Sequence, residues 1–391
     1  MRLAYPYPEH LGKRAARLLQ VAGTVRALAR QGAQVHLLVG RFAGLGRRLA
    51  ELDLGPRPGL FLEALPMWQP GPGLPVLFSW HAPFHRACLA RLRTLSRHGL
   101  TWVLVRHLKL ADYLLPKLPA LGLRMLFEAH ELFSQTAREE GLAPAKVVAL
   151  EAMEARVLAG ADRLAAISLP LAQALEARTG VRGPVCLAPS GVEEDFFQVP
   201  EGPRQSDLVA YAGGLGPWKG LDLLLLAMAR VPAGRLEVLG GHPGSADWRR
   251  LERLAQRLGL GRRLILRSQA GQDQVRELLG RAAVAIWPGT ARQRIAAEFT
   301  SPLKLFEYLA AGCAVLAPDL PAARWVVTAG RDALLFAPDD AASLAAALEG
   351  LLAQPELVRA LGRAGRELAR GYTWDARARS LLGAMAGEGG R

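Results

Sequence analysis

Thr300-Ser301-Pro302-Leu303-Lys304-Leu305-Phe306-Glu307-Tyr308-Leu309-Ala310-Ala311-Gly312-Cys313-Ala314-Val315-Leu316-Ala317 reads as a helix feeding a strand. Ser301 suits an N-cap, and Pro302 suits the first helical position, where a missing N–H costs nothing. Gly312 closes the helix and an apolar run of strand length follows. The amides of Leu303 and Lys304 then point out of a positive helix end. That end is a ready anion site, and Lys304 adds a full charge. Glu307 lies one turn on, on the same face, where its carboxylate can accept hydrogen bonds from vicinal hydroxyls such as those of a ribose. A salt bridge between Lys304 and Glu307 on a plain helix is the competing reading.

The same alternation runs outward in both directions. Strands are expected at 2–5, 35–39, 102–106, 124–128, 164–167, 208–212, 235–239, 264–266, 284–287 and 314–317. Helical patterns fill 15–30, 221–230, 247–258, 275–281 and 302–311. Such alternation implies parallel sheets with helices on both faces. Ten or more strands are too many for one compact sheet, so the chain reads as two doubly wound α/β domains. The breaker-rich segment Gln198-Val199-Pro200-Glu201-Gly202-Pro203-Arg204-Gln205-Ser206 marks a connection near their boundary. Ligands of such sheets bind at the carboxyl ends of the strands, which for two facing domains means the interdomain cleft.

Composition bounds the rest. The chain has 391 residues, 51% of them hydrophobic and 21% charged, which suits two domains with full cores and excludes disorder or coiled coil. No apolar run is long enough for a membrane span, and Met1-Arg2-Leu3-Ala4-Tyr5-Pro6 lacks a signal-peptide core. Three scattered cysteines, Cys88, Cys186 and Cys313, argue against a disulfide framework and for a reducing cytoplasm. The net charge is +14, and its surplus is uneven. Residues 1–127 hold 18 Lys and Arg against 5 Asp and Glu, whereas the remaining 264 hold 31 against 30. A field of that sign attracts nucleic acid, anionic lipid or an acidic small molecule; the plain alternative is solubility with a coding bias, since 43 of the 49 basic residues are Arg.

Several motifs fail on inspection. Gly213-Gly214-Leu215-Gly216-Pro217-Trp218-Lys219-Gly220 lacks the Ser or Thr that a Walker loop carries after its Lys. No Gly-x-Gly-x-x-Gly follows the first strand, and neither Gly-x-Ser-x-Gly nor His-Glu-x-x-His occurs. His81 and His85 stand at i, i+4, but the sequence offers no third ligand nearby. The stretch from Trp80 to His98 mixes aromatic, apolar and basic residues at helical spacing. It fits membrane-surface contact or an ordinary amphipathic helix. The absent Asp-x-Asp counts against metal-dependent, single-domain sugar transferases.

Segment 300–317 resembles the signature of the family 4 retaining glycosyltransferases, whose fold is GT-B. The resemblance extends over nearly the whole chain. Tyr211-Ala212-Gly213-Gly214-Leu215-Gly216-Pro217-Trp218-Lys219-Gly220-Leu221-Asp222 looks like the family's phosphate loop, and Leu239-Gly240-Gly241-His242-Pro243-Gly244 like its next glycine turn. Pro189-Ser190-Gly191-Val192 followed by Phe196 looks like its Pro-Asn-Gly-Val-Asp segment. Phe127-Glu128-Ala129-His130-Glu131-Leu132-Phe133 matches its His-bearing loop, and Tyr372-Thr373-Trp374-Asp375 the start of its terminal helix. The resemblance implies two Rossmann-like domains facing a cleft, an acceptor-side domain at 1–187 completed by 372–391, and a nucleotide-sugar domain at 188–371.

It also implies the chemistry. A sugar would pass from a nucleotide-diphosphate sugar, a substrate rather than a cofactor, to an acceptor hydroxyl, with retention and without a metal. His130, Lys219 and Lys304 are the expected catalytic residues. Gly12, Gly213, Gly214, Lys219, Gly241, His242, Ser301, Pro302, Leu303, Lys304 and Glu307 are the expected donor contacts. Lys219 would neutralise the leaving diphosphate, Glu307 would hold the ribose, and His130 would meet the sugar.

Departures from the pattern matter equally. The family's first carboxylate falls on Phe299 here, leaving either a displaced Glu298 or Lys304 to take its place. The loop Arg is Gly214, the segment's Asn is Ser190, and the paired glycines after the first strand are reduced to Gly12 beside Lys13. The implied setting is surface-polysaccharide or glycolipid synthesis in the cytoplasm, peripheral on the inner face of the membrane, with residues 1–127 against an anionic surface and no nucleic acid as partner. A nucleotide-sugar epimerase of the same fold and a basic nucleic-acid-binding protein are the competing readings.

Overall fold

The computed structural model describes residues 1–9, 16–67, 81–181, 183–268 and 271–387. The chain divides into two units: Met1–Gly191 with Trp374–Arg391, and Val192–Thr373. In the first unit the strands are β1 (Arg2–Tyr7), β2 (Gln34–Gly40), β3 (Leu60–Leu65), β4 (Trp102–Val105), β5 (Arg124–Ala129), β6 (Arg163–Ala166) and β7 (Cys186–Leu187). They lie in the order β3-β2-β1-β4-β5-β6-β7, all parallel. The second unit holds β8 (Gln205–Ala212), β9 (Arg235–Leu239), β10 (Leu264–Arg267), β11 (Ala282–Ile286), β12 (Ala314–Pro318) and β13 (Leu334–Phe336). Their order is β10-β9-β8-β11-β12-β13, again all parallel.

Side-chain alternation explains why both faces are covered. Along β8, Val209 and Tyr211 join one buried cluster, while Leu208, Ala210 and Ala212 join another. A strand with apolar residues at every position needs a helical layer on each side. The strand order reverses direction between β8 and β11, so the carboxyl ends of these strands form the switch point. Strands β3, β7 and β13 were not expected from the sequence. All three are outermost in their sheets or next to an edge, and β7 and β13 are only two and three residues long. Short or half-exposed edges carry little hydrophobic pattern.

The last helix, Trp374–Ala386, belongs to the first unit, where it packs on the helix Ala16–Arg30. Trp374 sits against Gly23, where a Cβ would overlap the indole, and Arg30 pairs with Asp375 at 2.6 Å. The three cysteines are free. Among the described residues, no helix is long and apolar enough to cross a membrane.

The helix Ala82–Ser96 shows which side chains of its stretch are buried and which face solvent. Phe84, Cys88, Leu89, Leu92 and Leu95 are buried in the first unit's core, so the apolar face is already spent. Arg91 is engaged by Glu63, with Nη2 to Oε1 at 2.9 Å. Arg86, Arg93 and Arg97 are exposed. The helix is therefore an amphipathic core helix with a cationic outer face; Trp80 lies outside the described residues.

Candidate functional site

In the second unit, three segments meet at the switch point. Strand β8 ends at Ala212, and Gly213 turns sharply with φ of +148°, its N–H donating to the Leu239 carbonyl at 2.8 Å. A Cβ on Gly213 would overlap the end of the Lys304 side chain, so the lysine occupies the space a larger residue would fill. Gly240, just after β9, likewise lies against the Gly213 carbonyl. Lys219 follows in a single 3-10 turn, Pro217–Lys219, whose end opens the helix Leu221–Arg230. Arg250 holds this loop in place by donating to the Leu215 carbonyl at 2.6 Å and pairing with Asp222.

The helix carrying Lys304 and Glu307 spans Leu303–Ala310. Pro302, not Ser301, is the N-cap residue, and its own side chain offers no capping acceptor. The expected cap is thus displaced by one position, because Pro302 takes an extended ψ of 105° rather than a helical one. The helix start still directs amides outward beside Lys304. Tyr308 fixes the helix to the strand: its hydroxyl accepts from the Ala212 N–H at 2.8 Å and donates to the Ala212 carbonyl at 3.2 Å.

Charge in this site is poorly balanced. The Lys304 ammonium lies 5.1 Å above the Tyr211 ring, and burial lowers its pKa. Lys219 is lowered to about 8, by burial and by the neighbouring Lys304. Glu307 is pushed up to about 7, mainly by burial, although Gln272, donating at 3.2 Å, and Lys304 both favour its charged form. Among the described residues no Lys304–Glu307 ion pair forms within bonding distance, so the salt-bridge reading fails. Glu298 pairs instead with Arg294 at 2.7 Å, at a π-helical turn, Ile295–Phe299.

The other expected contacts sit nearby in sequence order. Gly214 is exposed and its carbonyl accepts from the Tyr211 hydroxyl at 2.8 Å. Gly241 has φ of +69°, and His242 is exposed at the carboxyl end of β9. Ser301 is buried and Leu303 half-buried. Gly12 lies outside the described residues.

In the first unit, His130 follows β5. Its Nδ1 faces Arg106 Nη2 at 3.2 Å, and its Nε2 meets the Glu128 carboxylate. Arginine can only donate, so Nδ1 accepts and Nε2 carries the proton to Glu128. Burial first, then Arg106, lowers the imidazole to about 4, so it stays neutral. With both ring nitrogens engaged, His130 in this arrangement has no free base to offer a substrate. Glu128 is fully buried; burial alone would raise its pKa, but Arg377 at 2.7 Å and His130 hold it well below the usual range. Arg377 also donates to Thr24 at 2.9 Å and to the Pro189 carbonyl at 3.1 Å. Arg106 donates to Gln20 at 3.1 Å, and Gln20 to Ser190 at 3.3 Å.

Sequence reasoning missed Arg106, Arg377 and Gln20. One signal was present: Glu128 and His130 are two apart at a strand end, which places both on one face. The pair His81 and His85 also gains an unforeseen neighbour. The His107 ring lies 5.1 Å from His81 and 6.2 Å from His85. Among the described residues, however, no group of three such side chains is placed to hold a metal.

Comparison with known proteins places this arrangement. Residues 20–196 match the model described as Glycosyltransferase Family 4, and residues 206–354 the model described as Glycosyl transferases group 1. The D-inositol 3-phosphate glycosyltransferase of Streptomyces avermitilis is 30% identical over 243 residues, covering 57% of this chain and 51% of that protein. The matched stretch thus spans about half the length of that curated relative. Sucrose-phosphate synthase from Thermosynechococcus elongatus superposes with a TM-score of 0.76 at 22% identity, covering 99% of this chain and 98% of that one. Anabaena HepE in complex with UDP gives 0.75 at 14% identity, covering 99% and 100%. At such identities the likeness of these structures establishes the two-unit GT-B fold.

Proposed function

Because this chain belongs to the family 4 glycosyltransferases, we propose that it moves a sugar from a nucleotide-diphosphate sugar to an acceptor hydroxyl, with retention and without a metal. The observation that carries the reading is the meeting of Lys219, Lys304 and a helix start around Gly213. Two mutually repelling ammonium groups beside the amides of a helix start suit a diphosphate, which would satisfy both. The UDP complex of a structural neighbour is consistent with such a ligand.

In this reading the diphosphate lies beside Gly213, whose missing side chain leaves the room in which the Lys304 ammonium stands. Negative charge grows on the diphosphate as the sugar bond breaks, and Lys219 and Lys304 are already placed to meet it. Fixed charge of this kind is usually the largest catalytic term. Glu307 accepts hydrogen bonds from the ribose, and Lys304 takes the place of the missing first carboxylate, since Glu298 is held by Arg294. The phosphate oxygen on the attacked face receives the acceptor's proton. His130 acts through shape and through the edge of its ring, while Glu128, Arg106 and Arg377 fix its position.

The acceptor side falls to the first unit. We place an anionic surface against the exposed Arg86, Arg93 and Arg97, with charge alone providing the attraction, since the apolar face of that helix is buried. A lipid-linked acceptor in surface-polysaccharide or glycolipid synthesis fits such a surface. NMR of the product linkage, with EDTA present, tests the central reading. A retained anomeric configuration is expected; an inverted linkage or strict metal dependence sinks it, and donor isomerisation without any acceptor would make the protein an epimerase.

A further inference from the structure

A cavity of about 290 Å³ opens within the second unit, at the amino ends of β8, β11 and β12, where Ser206, Ala283 and Gly312 line it. It is at the opposite end of the sheet from Gly213 and Lys219. Leu351, Leu352, Pro355 and Val358 form an apolar wall. The rest of the lining includes four arginines, Arg204, Arg359, Arg363 and Arg366, against one carboxylate, Glu201.

Two of the arginines converge on the floor. Arg204 donates to the carbonyls of Leu279, Ala311 and Ala282, the last at 2.8 Å. Arg366 is buried and donates to the carbonyls of Phe197 and Val199, the latter at 3.0 Å. Carbonyl dipoles hold a guanidinium in position but do not neutralise it. Glu201 reaches Arg366 Nη1 at 3.3 Å, yet its side chain is 69% exposed and can swing away into solvent. Both guanidinium groups point at Gly312. Arg204 Nη2 lies 3.4 Å, and Arg366 Nη1 3.6 Å, from the place a Cβ there would occupy. Two like charges therefore face one small space that a glycine keeps open. Arg363 stands exposed on the rim, and Arg359 beside it shares its charge with Glu356.

We propose that this cavity binds a small soluble amphiphilic anion. Its phosphate or carboxylate head would bridge Arg204 and Arg366, and its apolar body would cover Leu351 to Val358. Guanidinium groups pair with such heads through two parallel hydrogen bonds. The volume is near the lower end of small-molecule pockets. An occupant would also abut the far end of the helix that carries Lys304 and Glu307, because Arg204 grips the Ala311 carbonyl at its close. Binding in this cavity does not depend on the proposed sugar transfer.

Isothermal titration of the whole chain with phenyl phosphate, inorganic phosphate and benzoate tests it. Phenyl phosphate should bind saturably and more tightly than inorganic phosphate; benzoate, set beside it, shows which head is preferred. Arg359→Glu with Arg363→Glu, both on the surface, should weaken phenyl phosphate about tenfold or more. Glu201→Gln should tighten it, an opposite sign that misfolding cannot mimic. Lys219→Ala should leave it unchanged, which separates this cavity from the phosphate site at Gly213. Absence of saturable binding, indifference to the charge changes, or loss in Lys219→Ala would overturn the proposal.

Discussion

Replacing Glu307 by Gln should stabilise the protein at alkaline pH while weakening its proposed donor site. Burial pushes this carboxyl up to about 7 from an ordinary 4.5. Between those two pH values the folded state holds a proton that the unfolded state has released, so stability falls as pH rises through the window. Above it, both states are ionised and the folded state carries the full cost of a charge in a half-buried place. A displacement of roughly 2.5 pH units, at about 1.36 kcal/mol each, gives about 3 kcal/mol; partial solvent screening brings the expectation to about 1–3 kcal/mol. Glutamine keeps the shape and can still accept from Gln272. Calorimetry of the Glu307→Gln variant at pH 8 should show the second unit melting several degrees higher, at about 2–4 °C per kcal/mol for a unit of this size. The gain should vanish well below pH 4.5, where Glu307 is protonated in both states. A gain of equal size at both pH values, or a loss at pH 8, would refute the reasoning.

Other outcomes follow from the same geometry. Lys219→Ala should lower kcat about a hundredfold or more, whereas Glu307→Ala should chiefly raise KM, as steady-state kinetics would show. kcat/KM should fall as pH rises through about 8, where Lys219 of the free protein loses its proton, and that pH dependence should flatten in Lys219→Met. Arg377→Met should cost about 3–5 kcal/mol in denaturant unfolding, because it leaves Glu128 charged and buried without its partner, and adding Glu128→Gln should restore part of the loss. Charge reversal of Arg86, Arg93 and Arg97 should reduce salt-sensitive sedimentation with anionic vesicles more than reversal of Arg249 and Arg253; equal sedimentation with neutral vesicles would remove the proposed surface contact.

Most of this site was legible in the sequence because it is built from local features. A strand, a glycine turn and a helix start each carry short-range signals, and Gly213, Lys219, Lys304 and Glu307 all sit on them. The N-cap was misread by one residue because Ser301 and Pro302 each fit the pattern, and only the extended backbone of Pro302 decides. The network around His130 was mostly hidden. Arg377 lies 249 positions beyond Glu128 in the chain, and no local periodicity announces a pairing across that separation. Arg91 shows the opposite failure: it reads as one more surface cation, yet Glu63 on β3, a strand the pattern did not reveal, takes up its charge.

The same effect shifts Lys219 and Glu307 in opposite directions, and this bears on how the site could act. Burial disfavours charge on either group, lowering the lysine to about 8 and raising the carboxyl to about 7. Without a ligand, the folded chain therefore holds two ammonium groups near each other and a carboxyl near its titration point. None of that arrangement helps folding. It is an expense that a diphosphate and a ribose would reverse on binding, since the first supplies the missing anion and the second the missing donors. The lysines need no movement to do so, because Gly213 leaves the space and Tyr308 locks the helix to the strand. Relief should be greatest where negative charge is greatest, on the diphosphate as it departs, rather than on the intact donor. On that ground the lysines belong to the rate and Glu307 to the affinity, and the kinetic split between their variants is the measurement on which this division rests.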